Sequence, residues 1–449
     1  MDEVRTQSEA HPTGVASLSA GYRDGTVQVR AVVETLLAHL ADHHDEGVWI
    51  SVSDTATLRG RAAELDASGP EGLPLFGIPV AVKDNIDVAG LPTTAACPAF
   101  AYSPSRDAAA VRRLRDAGAV IVGKTNLDQF ATGLSGQRSP YGACESVFGG
   151  DLISGGSSSG SAVAVASAIV PVALGTDTAG SGRVPAALNG IVGLKPTRGL
   201  VGTSGVVPAC RSLDCVSVFT HSTSDAATVL DVLAGPDPDD PWSRTGPPLP
   251  ASTTPRLALP DDLDLDPGIA ARFAQVTEVA AARADAVVRT SAEPLREAGA
   301  LLYDGPWVAE RLAGLAGFLA GHADDVLPVT RAVIERGRDF DAVATFRARH
   351  RLQELRAWCR DLFGRADVLL LPTVPTTFTR AEMAEDPVAR NAVLGRYTQF
   401  TNLLDLAAVA VPAGFTTDGR PCGVTLVGPA FSETRLLTAA AALVPVEVS

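Results

Sequence analysis

Apolar positions along the chain fall into two rhythms. Between residues 15 and 66 they recur on one helical face, as in the Val-Leu-Ala face running from Val27 to Leu40, with a short apolar piece at Val48-Trp49-Ile50 interrupting. After a turn at Gly69 to Pro74, short apolar runs alternate with helical stretches. Phe76-Gly77-Ile78-Pro79-Val80-Ala81-Val82 reads as a buried strand carrying Lys83 at its end. Asp107 to Gly118 reads as a helix, Ala119 to Gly123 as a strand, and Asp128 to Leu134 as the start of another ordered piece. A helix over about Ser159 to Ala168 and a strand over about Val170 to Gly175 follow. A Pro-rich turn region occupies 235–250, a strand 256–260, and an Ala/Arg-rich helical pattern runs from Pro267 to Phe363. Strand signals return at Val368 to Pro372 and Ala407 to Pro412. This alternation predicts an α/β fold with helices on both faces of a sheet. One large domain over 1–449 accommodates it: N-terminal helices (15–66), a core (70–235), a mainly helical insertion (236–365) and a return to the core (366–449).

One segment breaks both rhythms. Residues 154–183 hold seven serines and six glycines, a density typical of a flexible linker. Yet the segment contains Ala162-Val163-Ala164-Val165-Ala166 and Ile169-Val170-Pro171-Val172-Ala173-Leu174, which are too apolar for a linker. Small residues between buried elements suggest a backbone brought close to a substrate, with hydroxyls presented to it.

Composition narrows the function classes. An apolar content of 46% with 20% charged residues is that of a globular enzyme. A net charge of −14 argues against nucleic acid and anionic membranes as partners. No apolar run reaches the roughly 18–20 residues that cross a bilayer. Met1-Asp2-Glu3-Val4-Arg5 lacks the basic start and apolar core of a signal peptide, so a cytoplasmic location is expected. Cys97, Cys144, Cys210, Cys215, Cys359 and Cys422 form no C-x-x-C and have no histidine at zinc-like spacing, so buried reduced thiols are expected, with no metal. Of the 37 basic residues only three are lysines, Lys83, Lys124 and Lys195. Arginine holds its proton at working pH and a desolvated lysine need not, so a titratable amine has three side-chain candidates.

Several serine chemistries can be weighed. Gly156-Ser157-Ser158-Ser159-Gly160 matches the G-x-S-x-G of a nucleophile elbow, but the downstream histidines His221, His322 and His350 sit in no recognisable motif. The segment has no lysine for a phosphate-binding loop, and no S-x-x-K surrounds any lysine. What remains is serine activated by lysine. Lys83 ends an apolar strand and is followed by Asp84 and Asn85, polar groups suited to orient it; a surface lysine beyond a strand end is the competing reading.

Four motifs in order then carry a resemblance: Gly77 to Asn85 around Lys83, Gly155 to Ser161, Gly175 to Ser181, and Gly193-Leu194-Lys195-Pro196-Thr197. The chain resembles the amidase signature family over about 70–235, and again at Leu370-Leu371-Pro372 and Tyr397 to Pro412; Ser159 and Ala179 stand where that family usually has glycine. The resemblance implies a central mixed, twisted β-sheet. It also implies a triad of Ser181 as nucleophile, Ser157 with a cis peptide bond as proton relay, and Lys83 as terminal base. Backbone N–H groups of Thr178, Ala179, Gly180 and Ser181 would form the oxyanion hole. Ser158 would support the network, Asp177 and Arg183 would brace the loop, and Lys124 and Lys195 would be structural. No cofactor is called for.

Further stretches are more particular. Asp128 to Gly133, Ser139-Pro140-Tyr141-Gly142, Ala209 to Cys215, Tyr397 to Ala410 and the pair Tyr303 and Arg311 resemble the allophanate hydrolases. That resemblance implies a small amide substrate bearing a carboxylate, held by Tyr303 and Arg311, with ammonia and N-carboxycarbamate as products. Gly305-Pro306 suggests a helix beginning at Pro306, with Tyr303 just before it and Arg311 in its second turn. The further C-terminal domain of many such enzymes is expected to be absent from this chain. The alternatives are an amidotransferase component and another amidase acting on a carboxybiuret-like or biosynthetic amide; a homodimer is left open.

Overall fold

The computed structural model describes residues 14–42 and 47–444. The Met1-to-Arg5 stretch, in which no signal peptide is read, lies outside the described residues. Eleven strands among the described residues form one sheet, in the order β1-β3-β2-β4-β6-β5-β10-β11-β9-β7-β8. In chain order these are β1 Trp49–Val52, β2 Pro79–Lys83, β3 Val120–Thr125, β4 Val172–Asp177, β5 Val192–Lys195, β6 Cys215–Thr220, β7 Arg256–Pro260, β8 Ala286–Thr290, β9 Val368–Pro372, β10 Leu406–Phe415 and β11 Pro421–Pro429. β2 runs parallel to both β3 and β4, and β7 to both β8 and β9. The other neighbours are antiparallel, so the sheet is mixed.

Side-chain alternation along each strand feeds two cores. Val80, Val82, Val172 and Leu174 join one apolar cluster, while Ala81 and Ala173, the residues between them, join another on the opposite side. The second cluster includes Ala162 to Val165 of the Ser159–Ala166 helix. That helix carries only small and β-branched side chains, which lets it pack close to the strands, and its residues 159–165 are all buried.

The stretch 236–365 differs from a mainly helical reading in one respect. Besides β7, which the strand reading at 256–260 anticipates, it contributes β8, and the two extend the sheet beside the helices Pro267–Arg283, Glu293–Tyr303, Trp307–His322, Pro328–Glu335 and Ala342–Arg365. β8 falls inside the stretch whose pattern predicts helix. It is a five-residue edge strand with largely exposed side chains, so it shows neither a buried apolar run nor a clean alternation. No helix among the described residues is long and apolar enough to cross a membrane. All six cysteines are buried and unpaired.

Candidate active site

The site forms where adjacent parallel strands end together. Val82 of β2 lies beside Leu174 of β4, so the last residue of β2, Lys83, comes level with Gly175 and Thr176. Lys83 points to the face of the sheet on which the Ser159–Ala166 helix begins. Its Nζ lies 2.8 Å from Ser157 Oγ and donates to Thr176 Oγ1 at 2.8 Å. Asn85 Nδ2 reaches the same threonine hydroxyl at 3.3 Å and Val207 O at 3.1 Å. The lysine is 0% exposed. Burial pushes its pKa down to about 7, against the opposing pull of Asp128, Asp177 and Asp214 and with help from the Arg311 charge.

Of the two polar residues expected to orient Lys83, only Asn85 does so, through Thr176. Asp84 turns the other way and forms a fully buried ion pair with Lys124 at 2.9 Å. Lys124 lies opposite Val82 in the β2–β3 register, so its amine meets the side chain that follows Lys83. Lys124 Nζ also donates to Thr93 Oγ1 at 3.0 Å and Pro92 O at 3.2 Å. Lys195 donates to Pro196 O at 2.7 Å and lies 3.6 Å from Cys215 Sγ.

The Gly156–Ser157 peptide bond is cis. Ser157 O accepts from the Asp128 N–H at 3.0 Å. The Asp128 carboxylate in turn accepts from the N–H groups of Gly136, at 3.0 Å, and Arg138, at 2.8 Å. Gly156 has no room for a side chain here, since a Cβ would stand 2.3 Å from Asp128 Oδ2 and 2.6 Å from Gly136 N. Ser158 Oγ donates to Thr176 O at 3.2 Å and accepts from Thr176 N at 3.3 Å, tying the serine loop to the end of β4.

The loop after β4 carries Ser181, which is 3% exposed. Its hydroxyl makes no hydrogen bond among the described residues, whereas the Ser157–Lys83 contact is formed. Asp177 and Arg183, both fully buried, brace this loop. Arg183 Nε and Nη2 each donate to the Asp177 carboxylate at 2.9 Å. Burial alone would raise the Asp177 carboxyl, and the Arg183 charge and hydrogen bonds hold it below the usual range instead. The carboxylate also accepts from Gly180 N at 2.8 Å and Gly182 N at 3.0 Å. The Gly180 N–H is therefore committed to Asp177, and among the four loop donors those of Thr178, Ala179 and Ser181 have no acceptor among the described residues. Gly180 takes φ +134°, a conformation that L side chains rarely adopt.

Tyr303 and Arg311 meet. Tyr303 closes the Glu293–Tyr303 helix, Pro306 caps the Trp307–His322 helix, and Arg311 is its fifth residue. Arg311 Nη2 lies 3.5 Å from Tyr303 Oη, and the guanidinium carbon stands 5.6 Å from the tyrosine ring centre. Nη1 donates to Thr132 Oγ1 at 2.5 Å and to Ala131 O at 3.3 Å. Arg311 is 1% exposed, no carboxylate among the described residues pairs with it, and its buried Nε has no partner among them. The Asp214 charge favours the cation only from a distance, and a buried cation with no carboxylate paired to it is expensive unless an anion joins it.

Residues not singled out from the sequence also shape the site. Thr176 anchors the lysine. Asp214 accepts from the Thr178 hydroxyl and from Ala209 N at 2.8 Å, and burial pushes its pKa up to about 6. Thr398 Oγ1 holds Ala179 O at 2.7 Å, and Asn402 Nδ2 holds Asp177 O at 2.8 Å. Thr176, Asp214, Thr398 and Asn402 all lie within quoted motif stretches, but most of the partners they hold are distant in the chain. Among the described residues no group of three or more His, Cys, Asp or Glu side chains is arranged to hold a metal ion.

The chain is similar to known proteins over most of its length. The Amidase family profile matches residues 31–437. The urea amidolyase of Saccharomyces cerevisiae is 46% identical over 401 residues, covering 87% of this chain and 22% of that protein. This chain thus spans about a fifth of the length of that relative. The solved allophanate hydrolase of Kluyveromyces lactis is 40% identical with a TM-score of 0.91, covering 97% of this chain and 74% of the other. A glutamyl-tRNA(Gln) amidotransferase component from Symbiobacterium thermophilum is 37% identical over 468 residues, covering 94% of each chain. With the motifs, the sheet and the family match in agreement over most of its length, the chain belongs to the amidase family.

Proposed function

We propose that the chain hydrolyses the terminal amide of allophanate, releasing ammonia and N-carboxycarbamate through an acyl-enzyme on Ser181. One observation carries the choice of substrate class. Arg311 is a buried guanidinium with no carboxylate partner among the described residues, seated against Tyr303, in a protein of net charge −14. A planar guanidinium fork matches a carboxylate, and burial strengthens the pairing. Similarity to an allophanate hydrolase of known structure supports the same reading.

The mechanism follows from the contacts. In its neutral form Lys83, 2.8 Å from the Ser157 hydroxyl, turns its lone pair to that hydroxyl while keeping an N–H on Thr176. Ser181 Oγ attacks the carbonyl carbon of the terminal amide and passes its proton to Ser157, whose own proton goes to Lys83. The Ser181–Ser157 contact tightens when substrate arrives, as catalytic hydrogen bonds commonly do. The carbonyl oxygen gains negative charge and is received by the free N–H groups of Thr178, Ala179 and Ser181. Gly180 shapes the loop and does not donate, because its N–H serves Asp177. Protonated Lys83 returns its proton through Ser157 to the leaving nitrogen, ammonia departs, and water attacks the acyl-enzyme by the same route.

A second reading is favoured by one observation: the amidotransferase component matches over 94% of its own length, whereas urea amidolyase matches over 22%. That reading requires glutamine as the amide and partner chains. The discriminating experiment is ammonia release by the purified chain from allophanate, simple neutral amides and glutamine. Preference for allophanate is the expected result. Turnover of glutamine alone, or only with added partner chains, overturns the proposal.

A further inference from the structure

Segment 209–214 ties the loop that carries Ser181 to the helix that carries Arg311. At one end, the Asp214 carboxylate accepts from the Thr178 hydroxyl, from Ala209 N at 2.8 Å and from Cys210 N at 3.2 Å. Leu213 O accepts at 2.7 Å from Asn402 Nδ2, the same group that holds Asp177 O at 2.8 Å. At the other end, Glu310 grips Ser212 twice: Oε1 accepts from Ser212 N and Oε2 from Ser212 Oγ, both at 2.7 Å. The Cys210 thiol lies 3.7 Å from Trp307 O in the first turn of the same helix. Glu310 immediately precedes Arg311, so one helix turn fastens to the strap by its glutamate while its arginine faces Tyr303 and Thr132.

We propose that Glu310 and Asp214 are positioning residues that act through this strap as a ruler, setting the separation between the anion-binding guanidinium and the oxyanion loop. The chain then selects amides by the distance from carboxylate to scissile carbonyl as well as by the presence of a carboxylate. A short anion is the fitting class, with one atom between the amide carbonyl and the carboxylate. The inference rests on the proposed role of Arg311. It adds that the arginine alone does not define the substrate: charge supplies attraction, and the doubly held helix supplies register. A guanidinium displaced by even an ångström still binds a carboxylate, but holds the scissile carbonyl out of line with Ser181.

The test uses four amides with the full chain: allophanate, malonamate (the same spacing with carbon in place of nitrogen), succinamate (one methylene longer) and acetamide (no anion). The parent is expected to prefer malonamate to succinamate by at least tenfold in kcat/KM, roughly what one misplaced methylene costs. In Glu310→Ala that preference falls at least fivefold, chiefly through a higher KM for malonamate, while acetamide turnover changes less than twofold. Glu310→Gln restores the preference, since its amide can accept from Ser212 N and donate to Ser212 Oγ. Should Glu310→Ala fail to fold, Ser212→Ala removes one of the two grips and moves the preference in the same direction by a smaller factor. An unchanged malonamate-to-succinamate ratio in Glu310→Ala or, where that does not fold, in Ser212→Ala, or an equal loss on all four amides, overturns the ruler while leaving Arg311 in place. A parent with no preference for carboxylated amides overturns the proposed function itself, and the ruler with it.

Discussion

Lys83 Nζ lies 2.8 Å from Ser157 Oγ, and no carboxylate among the described residues touches the amine. The acidic groups that act on it, Asp128, Asp177 and Asp214, act at a distance, and the Arg311 charge opposes them. Desolvation therefore prevails, and the pKa falls from 10.5 to about 7. A general base works in its unprotonated form, so activity should rise with pH through this value. The expected kcat/KM profile has an acid limb with its midpoint near pH 7. A profile still flat at pH 5 would show that the base is another group.

The same burial predicts a stability cost. In the unfolded chain Lys83 has its ordinary pKa of 10.5, and in the folded chain about 7. Between those values the unfolded state binds more protons, so stability contributed by this group rises with pH across that window. At neutral pH and below, the folded protein bears the penalty. Lys83→Met should abolish ammonia release and raise Tm by several degrees at pH 7 or lower, with the gain shrinking toward pH 10. Thermal unfolding of both proteins across that pH range checks the sign; an inactive variant of lower Tm throughout contradicts it.

Ser157 and Ser181 should separate in a mutant series, because one relays a proton and the other forms a bond. Ser181→Ala is expected to remove acyl-enzyme formation and ammonia release altogether. Ser157→Ala leaves the nucleophile and the oxyanion donors in place and removes only the relay, so a loss of about 10²- to 10⁴-fold in kcat is expected, with KM little changed. Mass spectrometry after rapid quenching should detect acylated protein for the parent and none for Ser181→Ala. Acylation persisting in Ser181→Ala would relocate the nucleophile.

How much of this is legible in the chain follows from the range of each interaction. Lys83 can be placed at a strand end because the apolar run before it is continuous and local. The meeting of β2 with β4 that brings Thr176 to its amine depends on sheet register, and no residue in either strand announces its neighbour. Asp84 shows the same limit: beside Lys83 in sequence it reads as that lysine's partner, yet the turn of the chain after the strand hands it to Lys124. The Gly180 N–H counts as an oxyanion donor only while the direction of the Asp177 carboxylate is unknown. β8 escapes because an exposed five-residue edge strand has no apolar signature. The pairing of Tyr303 with Arg311 comes from resemblance; the intervening Asp304 to Pro306 corner that lets the two helices converge supplies the geometry.

Arg311→Ala should lose activity on allophanate by about 10²- to 10³-fold in kcat/KM, the size expected when a buried charged pair with a ligand is broken. Neutral amides should be spared the loss of binding, because the triad and the oxyanion loop keep their contacts, while the loss of the Arg311 charge should move the acid limb set by Lys83 to higher pH. Arg311→Lys should not restore the parent's rate, since a single ammonium cannot reproduce the fork that reaches Thr132 and Tyr303 together. Malonate, a dianion of the right length, should raise the Tm of the parent and leave that of Arg311→Ala unmoved. An equal rise in both would place the anion elsewhere.

The Asp177–Arg183 pair sets the last expectation. Both side chains are fully buried and joined by two hydrogen bonds of 2.9 Å, and the carboxylate also holds the N–H groups of Gly180 and Gly182 on either side of Ser181. Asp177→Asn leaves the arginine without a counter-charge and turns an amide N–H toward backbone donors. Breaking such a pair from one side costs about 3–5 kcal/mol, so a large fall in the denaturant midpoint is expected. Because the folded Asp177 carboxyl lies below its ordinary 3.8, its stabilisation is present above that value and is lost as pH falls below it. The variant should therefore be destabilised most at neutral pH and approach the parent in acid. Activity should fall further than stability alone dictates, because the Gly180 and Gly182 amides would no longer fix the loop that aims Ser181 and its neighbouring N–H donors. A folded variant with the parent's kcat would mean that the loop holds its shape without the carboxylate.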